Sequence, residues 1–462
     1  TMSELTCFKA YDIRGELGVD IDVSIAYRIG RAVAQHFNSK SVVVGRDARQ
    51  TSPEFAEAVS NGIMDAGADV LDIGLSGTEE MYWGVTEFKA DAGIIVTASH
   101  NPINYNGMKI VKSGSRPLDD EADFKVIKKL AEDEAWDKND HKGTRSDIAA
   151  NARVKYVKQV ASFIETSKLK PLKIVVNCGN GAAGEVLADL CAHVDADHTI
   201  LFGDVDGTFP NHHPDPTVAE NLDDLIAAVK TQQADIGIGF DGDGDRIGVV
   251  DDQGRIIWGD QLLAILAEEV LGDFPGATVI ADVKASQALF DRINDLGGKP
   301  LMWRTGHSLI KSKMMETGAP LAGEMSGHIF MKDRYYGFDD ALYVAMRLAA
   351  RLAQSDEKLS AMRDRIADMV NTPEIRIDID EAVKFSSIEA VKTWLVANRD
   401  HAVNDIDGVR VNTPDGWWLL RASNTQNVLV ARCESSSPEG LERLKAEVRA
   451  ALAAVSIVTD AL

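Results

Sequence analysis

The sequence predicts an α/β protein of several compact domains, three related α/β units in series followed by a fourth of a different, α+β kind. Three observations carry this expectation. Apolar runs of strand length alternate with helical patterns, and the alternation starts afresh twice along the chain. After Asn371-Thr372-Pro373 the texture changes. The length of 462 residues also exceeds the roughly 250 to 300 at which a single core divides into several.

The first unit is expected over residues 1–149. It reads as a βαβ-type layer: a strand at Val42 to Val44, a helix with Phe55, Val59 and Ile63 on one face, then strands at Val70 to Ile73 and Gly93 to Val96. A polar, Lys- and Asp-rich stretch from Glu132 to Asp147 serves as connector. The second unit, 150–250, opens with a strand at Lys173 to Asn177 and holds another at Ile236 to Phe240. The third, 251–369, follows Asp251-Asp252-Gln253-Gly254, with Leu262, Leu263, Leu266 and Val270 on a helix and a strand at Thr278 to Ala281. The fourth, 370–462, alternates Ile375, Ile377 and Ile379, continues with a helix near Glu389 to Ala397 and strands at Trp417 to Arg421 and Val428 to Arg432, and ends in a helix.

Composition narrows the function. No window holds the roughly 18 apolar residues of a membrane span, and no basic segment with an apolar export signal opens the chain, so a cytoplasmic protein is expected. Thr1 precedes Met2, where a native chain is expected to start, and is read as a residue left by expression. Cys7, Cys178, Cys191 and Cys433 are scattered without a CxxC pair, which argues for reduced, buried thiols. A net charge of −23, with no basic run, disfavours nucleic acid and membrane as partners. An acidic chain can still bind an anionic substrate where its cations converge in one cleft.

Several loops could carry chemistry. Phe240-Asp241-Gly242-Asp243-Gly244-Asp245-Arg246 leaves a strand's C-terminal end with three carboxylates on alternate residues, a set suited to Mg2+ together with substrate phosphate. An EF-hand is rejected, because the sixth and twelfth loop positions are Arg246 and Asp252 rather than Gly and Glu. A second reading makes Asp241 a nucleophile and Asp243 its acid/base partner, as in haloacid-dehalogenase-type phosphatases, which usually carry Thr or Val where this chain has Asp245. Thr97-Ala98-Ser99-His100-Asn101-Pro102 places a hydroxyl beside an imidazole at another strand end, either a phosphate-carrying serine or a turn cap. Gly179-Asn180-Gly181-Ala182-Ala183-Gly184 matches a dinucleotide fingerprint, with Asp204 downstream, but is read as a tight strand-to-helix turn. Gly323-Glu324-Met325-Ser326-Gly327-His328 offers groups that can hydrogen-bond sugar hydroxyls. Arg421-Ala422-Ser423-Asn424-Thr425 offers a guanidinium, hydroxyls and turn amides for a phosphate.

Taken together, the four stretches at 97–102, 241–246, 323–328 and 421–425 resemble the α-D-phosphohexomutase family, in its order and approximate spacing. The resemblance runs from Lys9-Ala10-Tyr11-Asp12-Ile13-Arg14-Gly15 through Asp206-Gly207-Thr208-Phe209-Pro210-Asn211 and Arg304-Thr305-Gly306-His307-Ser308-Leu309-Ile310-Lys311 to the final domain. Within the family it is nearest in look to the bacterial phosphomannomutase and phosphoglucomutase group.

The resemblance implies four domains around a central cleft, the last similar to the TATA-binding-protein fold and mobile over bound substrate. It implies interconversion of hexose 1-phosphate and hexose 6-phosphate, mannose first and glucose also, through a phosphoserine and a hexose 1,6-bisphosphate, which also serves as activator. By the same resemblance Ser99 is the phosphoserine, and Asp241, Asp243 and Asp245 hold one Mg2+ per chain with an oxygen on Ser99. Lys109 and His100 lie beside them, with Lys109 the expected proton-transfer group and His307 or His328 behind it. Glu324 and Ser326 read sugar hydroxyls, and Arg421, Ser423, Asn424 and Thr425 clamp the phosphate not being transferred. Arg14, Arg246 and Lys284 add positive charge, and Tyr11 joins the substrate contacts. The protein is expected as a monomer or weak homo-oligomer. A catalytically silent phosphosugar-binding homologue is the non-enzyme alternative.

Overall fold

A computed structural model describes residues 3–163, 171–193 and 196–462, so Thr1 and Met2 lie outside it. Its first three sheets repeat one order of elements: helix, strand, helix, strand, helix, strand, strand. In each, the first strand is flanked in parallel by the second and third, and the fourth pairs antiparallel with the third. In the first domain these strands are Ser41–Arg46, Asp69–Leu75, Ala92–Val96 and Tyr105–Lys112. In the second they are Leu172–Asn177, Ala196–Leu201, Ile236–Phe240 and Ile247–Val250. In the third they are Thr278–Asp282, Lys299–Trp303, Leu321–Gly323 and Ile329–Met331.

The parallel strands are apolar on both faces because crossover helices cover both. Ala92–Val96 and Ile236–Phe240 are buried at every position, which explains their continuous apolar runs. Local capping agrees with the repeat. Asp22 accepts from the Ile25 amide at the start of Val23–His36, and Pro53 opens Ser52–Asp65.

The repetition has a direct consequence for function. The loops 97–102, 241–246 and 323–328 are the same connection in three copies, the turn from the third strand to its antiparallel partner. Each lies at the C-terminal end of a parallel strand, where ligands bind in open α/β sheets.

Two edges differ from the sequence reading. The stretch expected as a connector ends in a strand, Arg145–Asp147, parallel to Asp69–Leu75. All three of its residues are exposed, so it shows no apolar alternation. The second sheet also runs past residue 250, to Ile256–Ile257.

The fourth domain is an antiparallel sheet containing Ile375–Asp378, Val409–Thr413, Gly416–Ala422 and Val428–Ser435, backed by helices Lys384–Asn398 and Pro438–Ala454. It has its own core, built on Val391, Trp418, Leu429 and Val448. The three α/β domains share a continuous core in which helix Ala341–Ala353 is buried at all but one position. Burying each large apolar side chain contributes about 1.5–3 kcal/mol, so this shared core ties the three together, while the fourth domain has its own core and meets the third through a small buried cluster of Val283, Trp417 and Leu419.

Candidate active site

A cleft of about 850 Å3 opens where the four domains meet. Its walls bring together Tyr11 and Arg14 of the first domain, Arg246 of the second, His307 and Glu324 of the third and Arg421 of the fourth. The candidate residues read from sequence gather in three groups on or beneath these walls.

The first group centres on Ser99. Its backbone adopts a left-handed φ of 52° as the chain leaves strand Ala92–Val96. The hydroxyl donates to Asp241 Oδ2 at 2.9 Å and lies 3.2 Å from His100 Nδ1. Asp241, Asp243 and Asp245 converge within 4.8 Å of one another and are fully buried. Gly244 makes this possible, since its φ of 75° is open to glycine and strained for most other residues. Lys109, on the strand after the serine loop, donates to Asp243 at 2.8 Å and also to Asp245. Thr78 contributes a hydroxyl to Asp243 at 2.5 Å.

Electrostatics separate the three carboxyls. Burial and repulsion from Asp243 and Asp245 push Asp241 well above the usual carboxylate range. Burial also works to raise Asp243 and Asp245, but Lys109, joined by Thr78 at Asp243 and His328 at Asp245, leaves both low. Burial would lower Lys109 in turn, and the same two carboxylates leave it raised. Lys109, expected from sequence as the proton-transfer group, is thus held between two carboxylates.

These residues form a floor rather than a wall. Ser99 is 1% exposed and Lys109 3%, and the cleft surface above them is made by Arg14, His100, Asn101 and Arg246. Arg246 reaches His100 at 2.6 Å and Asp215 at 3.2 Å. Burial, then Arg246 and Arg14, hold the His100 imidazole well below its usual range, so it is neutral.

The second group comprises two histidine–carboxylate pairs facing the cleft. His307 Nε2 lies 3.2 Å from Asp12, and His328 Nδ1 lies 2.8 Å from Asp339, which Lys311 also contacts at 3.0 Å. The imidazoles stack at 5.4 Å. Asp245, His328 and Asp339 form a second possible cation-holding trio, but Lys311 already supplies the positive charge there. Asp12 and Asp339 were missed from sequence, although Asp12 sits inside the 9–15 motif. Glu324 Oε1 and Ser326 Oγ are buried without a hydrogen-bond partner among the described residues.

Burial, with Asp282 next, pushes Glu324 up to about 7. Its unfolded value is about 4.3. The folded state therefore favours the protonated form, and stability from this group is full below about pH 4 and lost as pH rises through 7. Glu324→Gln is expected to raise Tm at pH 8 by about 2–4 °C, and by clearly less at pH 5. Thermal melts at both pH values check this, and an equal shift at both would refute the burial argument.

The third group lies on the fourth domain. Arg421 is the penultimate residue of strand Gly416–Ala422 and pairs with Asp407 at 3.1 Å. Ser423 Oγ accepts from the Thr425 and Gln426 amides, shaping the turn. Asn424 Nδ2 reaches the Tyr11 hydroxyl at 3.4 Å, so the fourth domain touches the first across the cleft. Lys284 Nζ lies 3.4 Å from Glu374.

The glycine-rich 179–184 stretch is a turn that props the acidic loop. The Ala182 amide donates to Gly242 O at 3.1 Å, and a side chain at Gly181 would meet the same peptide. This accounts for the fingerprint-like spacing without a dinucleotide.

A cleft lined by several cations, with a buried hydroxyl against three carboxylates beneath it and buried polar groups left without partners, defines a class of protein suited to phosphorylated polar ligands. Comparison with known proteins makes the class specific. Descriptions of phosphoglucomutase/phosphomannomutase alpha/beta/alpha domains I, II and III match residues 6–136, 154–254 and 258–369, and that of the C-terminal domain matches 374–451. The chain is 44% identical to a phosphomannomutase/phosphoglucomutase of Pseudomonas aeruginosa over 97% of its length and 96% of that protein. It is 38% identical to a phosphomannomutase of Escherichia coli, over 96% and 98%. A crystal structure of a phosphoglucomutase/phosphomannomutase family protein from Burkholderia thailandensis superposes with a TM-score of 0.89 at 40% identity, covering 98% of each chain. The chain belongs to the phosphoglucomutase/phosphomannomutase family, the α-D-phosphohexomutases, and is an isomerase of hexose phosphates.

Proposed function

We propose that the chain interconverts hexose 1-phosphate and hexose 6-phosphate, mannose first and glucose also, with Ser99 as phosphate carrier. The observation that carries this is the Ser99 hydroxyl 2.9 Å from Asp241, inside a cluster of three carboxylates and Lys109. Phosphorylated Ser99 donates its phosphoryl group to a sugar hydroxyl, giving a hexose 1,6-bisphosphate. The bisphosphate turns end for end, and its other phosphate returns to Ser99.

Asp241, Asp243, Asp245 and an oxygen on Ser99 would hold one Mg2+. Asp243 Oδ1 and Asp245 Oδ1 support this fit, being buried oxygens without a hydrogen-bond partner, and hard oxygen donors suit that ion. Bound there, Mg2+ supplies a Lewis-acid charge that offsets the charge of the transferring group.

The chain's own residues do the rest. Arg246 and Arg14 add positive charge above Ser99, and Lys109 adds it from below. His328 and His307, each held by a carboxylate, are the better placed groups to take a proton from the attacking sugar hydroxyl and return it. His100, neutral and bonded to Arg246, orients that guanidinium. Glu324 and Ser326 accept from and donate to sugar hydroxyls. Arg421, Ser423, Asn424 and Thr425, with Lys284 and Tyr11, grip the distal phosphate. The separate core of the fourth domain suits a lid that keeps water from the bisphosphate. Four buried free cysteines suit the reducing cytoplasm.

The test is phosphorus NMR of the protein with Mg2+, a trace of glucose 1,6-bisphosphate and either mannose 1-phosphate or glucose 1-phosphate. Conversion to the matching 6-phosphate supports the proposal and ranks the sugars. Release of inorganic phosphate would instead favour the Asp241 nucleophile.

Arg421→Ala is expected to raise KM about ten- to a hundred-fold, since a charge-assisted phosphate contact is worth about 1.5–3 kcal/mol, with a smaller change in kcat. Initial rates over a range of glucose 1-phosphate check this. An unchanged KM contradicts the clamp.

A further inference from the structure

Ser99 holds a left-handed backbone conformation, and something must keep it there. The residue that does so is Arg49, which is 2% exposed and lies beneath the serine loop. Its Nη2 donates to Ser99 O at 3.0 Å and Asn101 O at 2.7 Å, and its Nη1 to Pro102 O at 2.9 Å and Tyr105 O at 3.2 Å. Three carbonyls of the serine loop and one at the start of the next strand thus converge on one guanidinium.

Asp47 fixes the other side. It lies 3.4 Å from Arg49 Nε and accepts from Ser52 Oγ at 2.6 Å and Thr97 Oγ1 at 2.7 Å. Thr97 Oγ1 in turn accepts from the Ser99 amide at 2.9 Å. The chain of contacts therefore reaches Ser99 at both its N–H and its carbonyl.

The second domain caps this fork with the 206–211 motif. The Phe209 ring lies 5.8 Å from the Arg49 guanidinium carbon. A Cβ added to Gly207 would sit 2.0 Å from Ala48 O, so only glycine permits the loop to close on the 48–49 backbone.

We propose that Arg49 is a positioning residue for phosphoryl transfer, the fork that aims Ser99 Oγ at the acidic loop, and that Gly207 and Phe209 lock it in place. This rests on Ser99 as phosphate carrier. Lysine cannot replace the fork, because three donors on one nitrogen do not span four carbonyls. A displacement of Ser99 by about 1 Å is enough to lower turnover about a hundred-fold.

The test compares full-length wild type, Arg49→Lys and Arg49→Ala in mutase turnover, with intact-protein mass recording phosphate on Ser99. Arg49→Lys is expected to lose about a hundred-fold in kcat with KM within about two-fold of wild type. Its Ser99 phosphorylation by glucose 1,6-bisphosphate should slow in parallel, and millimolar guanidinium should partly restore Arg49→Ala. A merely structural role would lower Tm while leaving kcat per folded molecule unchanged, and that result overturns the proposal. If Arg49→Lys does not fold, Phe209→Leu decides: a several-fold lower kcat at unchanged KM supports the fork, and wild-type kcat overturns it. Wild type that turns over without phosphate on Ser99 removes the carrier reading, and this inference with it. Phosphorylated wild type beside an Arg49→Lys of equal kcat overturns the inference alone.

Discussion

Ser99→Ala is expected to lose about 10^4-fold or more of mutase turnover, because it deletes the one hydroxyl placed to carry phosphate. The substitution keeps Cβ, so the left-handed backbone at 99 is neither relieved nor worsened. The lost contact is the hydrogen bond to Asp241. It is worth about 1 kcal/mol, so Tm should fall by only a few degrees. Turnover, thermal melts and the mass of protein incubated with glucose 1,6-bisphosphate measure the three quantities. Folded Ser99→Ala protein with wild-type turnover would sink the carrier assignment.

The chemistry-bearing loops were legible because the fold places them at repeated positions. Each ends a short apolar strand, so a run such as Ile236 to Phe240 announces both the strand and the loop that follows. The triad was legible for the same reason, since alternate residues of one loop carry its carboxylates. The supports beneath the loops were not legible. Thr78 meets Asp243 across 165 positions and His307 meets Asp12 across 295, and no local pattern encodes such pairs. Arg49 lies just beyond strand Ser41–Arg46 with no local pattern to mark it, yet the side chain is buried. Lys109 was placed correctly beside the triad, but its two partners change what it can do. A lysine between two carboxylates holds its proton more tightly, which is the ground for proposing the histidine–carboxylate pairs as the proton-transfer groups.

Lys109→Met tests that role and should change the pH dependence of stability. In the wild type the ammonium holds Asp243 and Asp245 below their unfolded value of about 3.9. Stability from these two is present above that value and lost as acid drives the pH through their lowered folded values. Without Lys109, burial and repulsion from neighbouring carboxylates still raise the folded values, opposed by Thr78 at Asp243 and His328 at Asp245, so both folded values move up. The stability these two carboxyls add above about pH 4 therefore shrinks. Metal-free Lys109→Met should therefore melt well below metal-free wild type at pH 8 and recover much of the difference at pH 5. Turnover with Mg2+ should fall about 10^3-fold, as for loss of one fixed charge aimed at a transferring group. Melts in chelator at the two pH values, beside initial rates, separate the outcomes. A variant that keeps the wild-type slope of Tm against pH shows that Lys109 does not set the charge of the triad. A variant that keeps wild-type turnover shows that its charge does not assist transfer. Methionine fills nearly the same volume as lysine, so neither result can be assigned to a cavity.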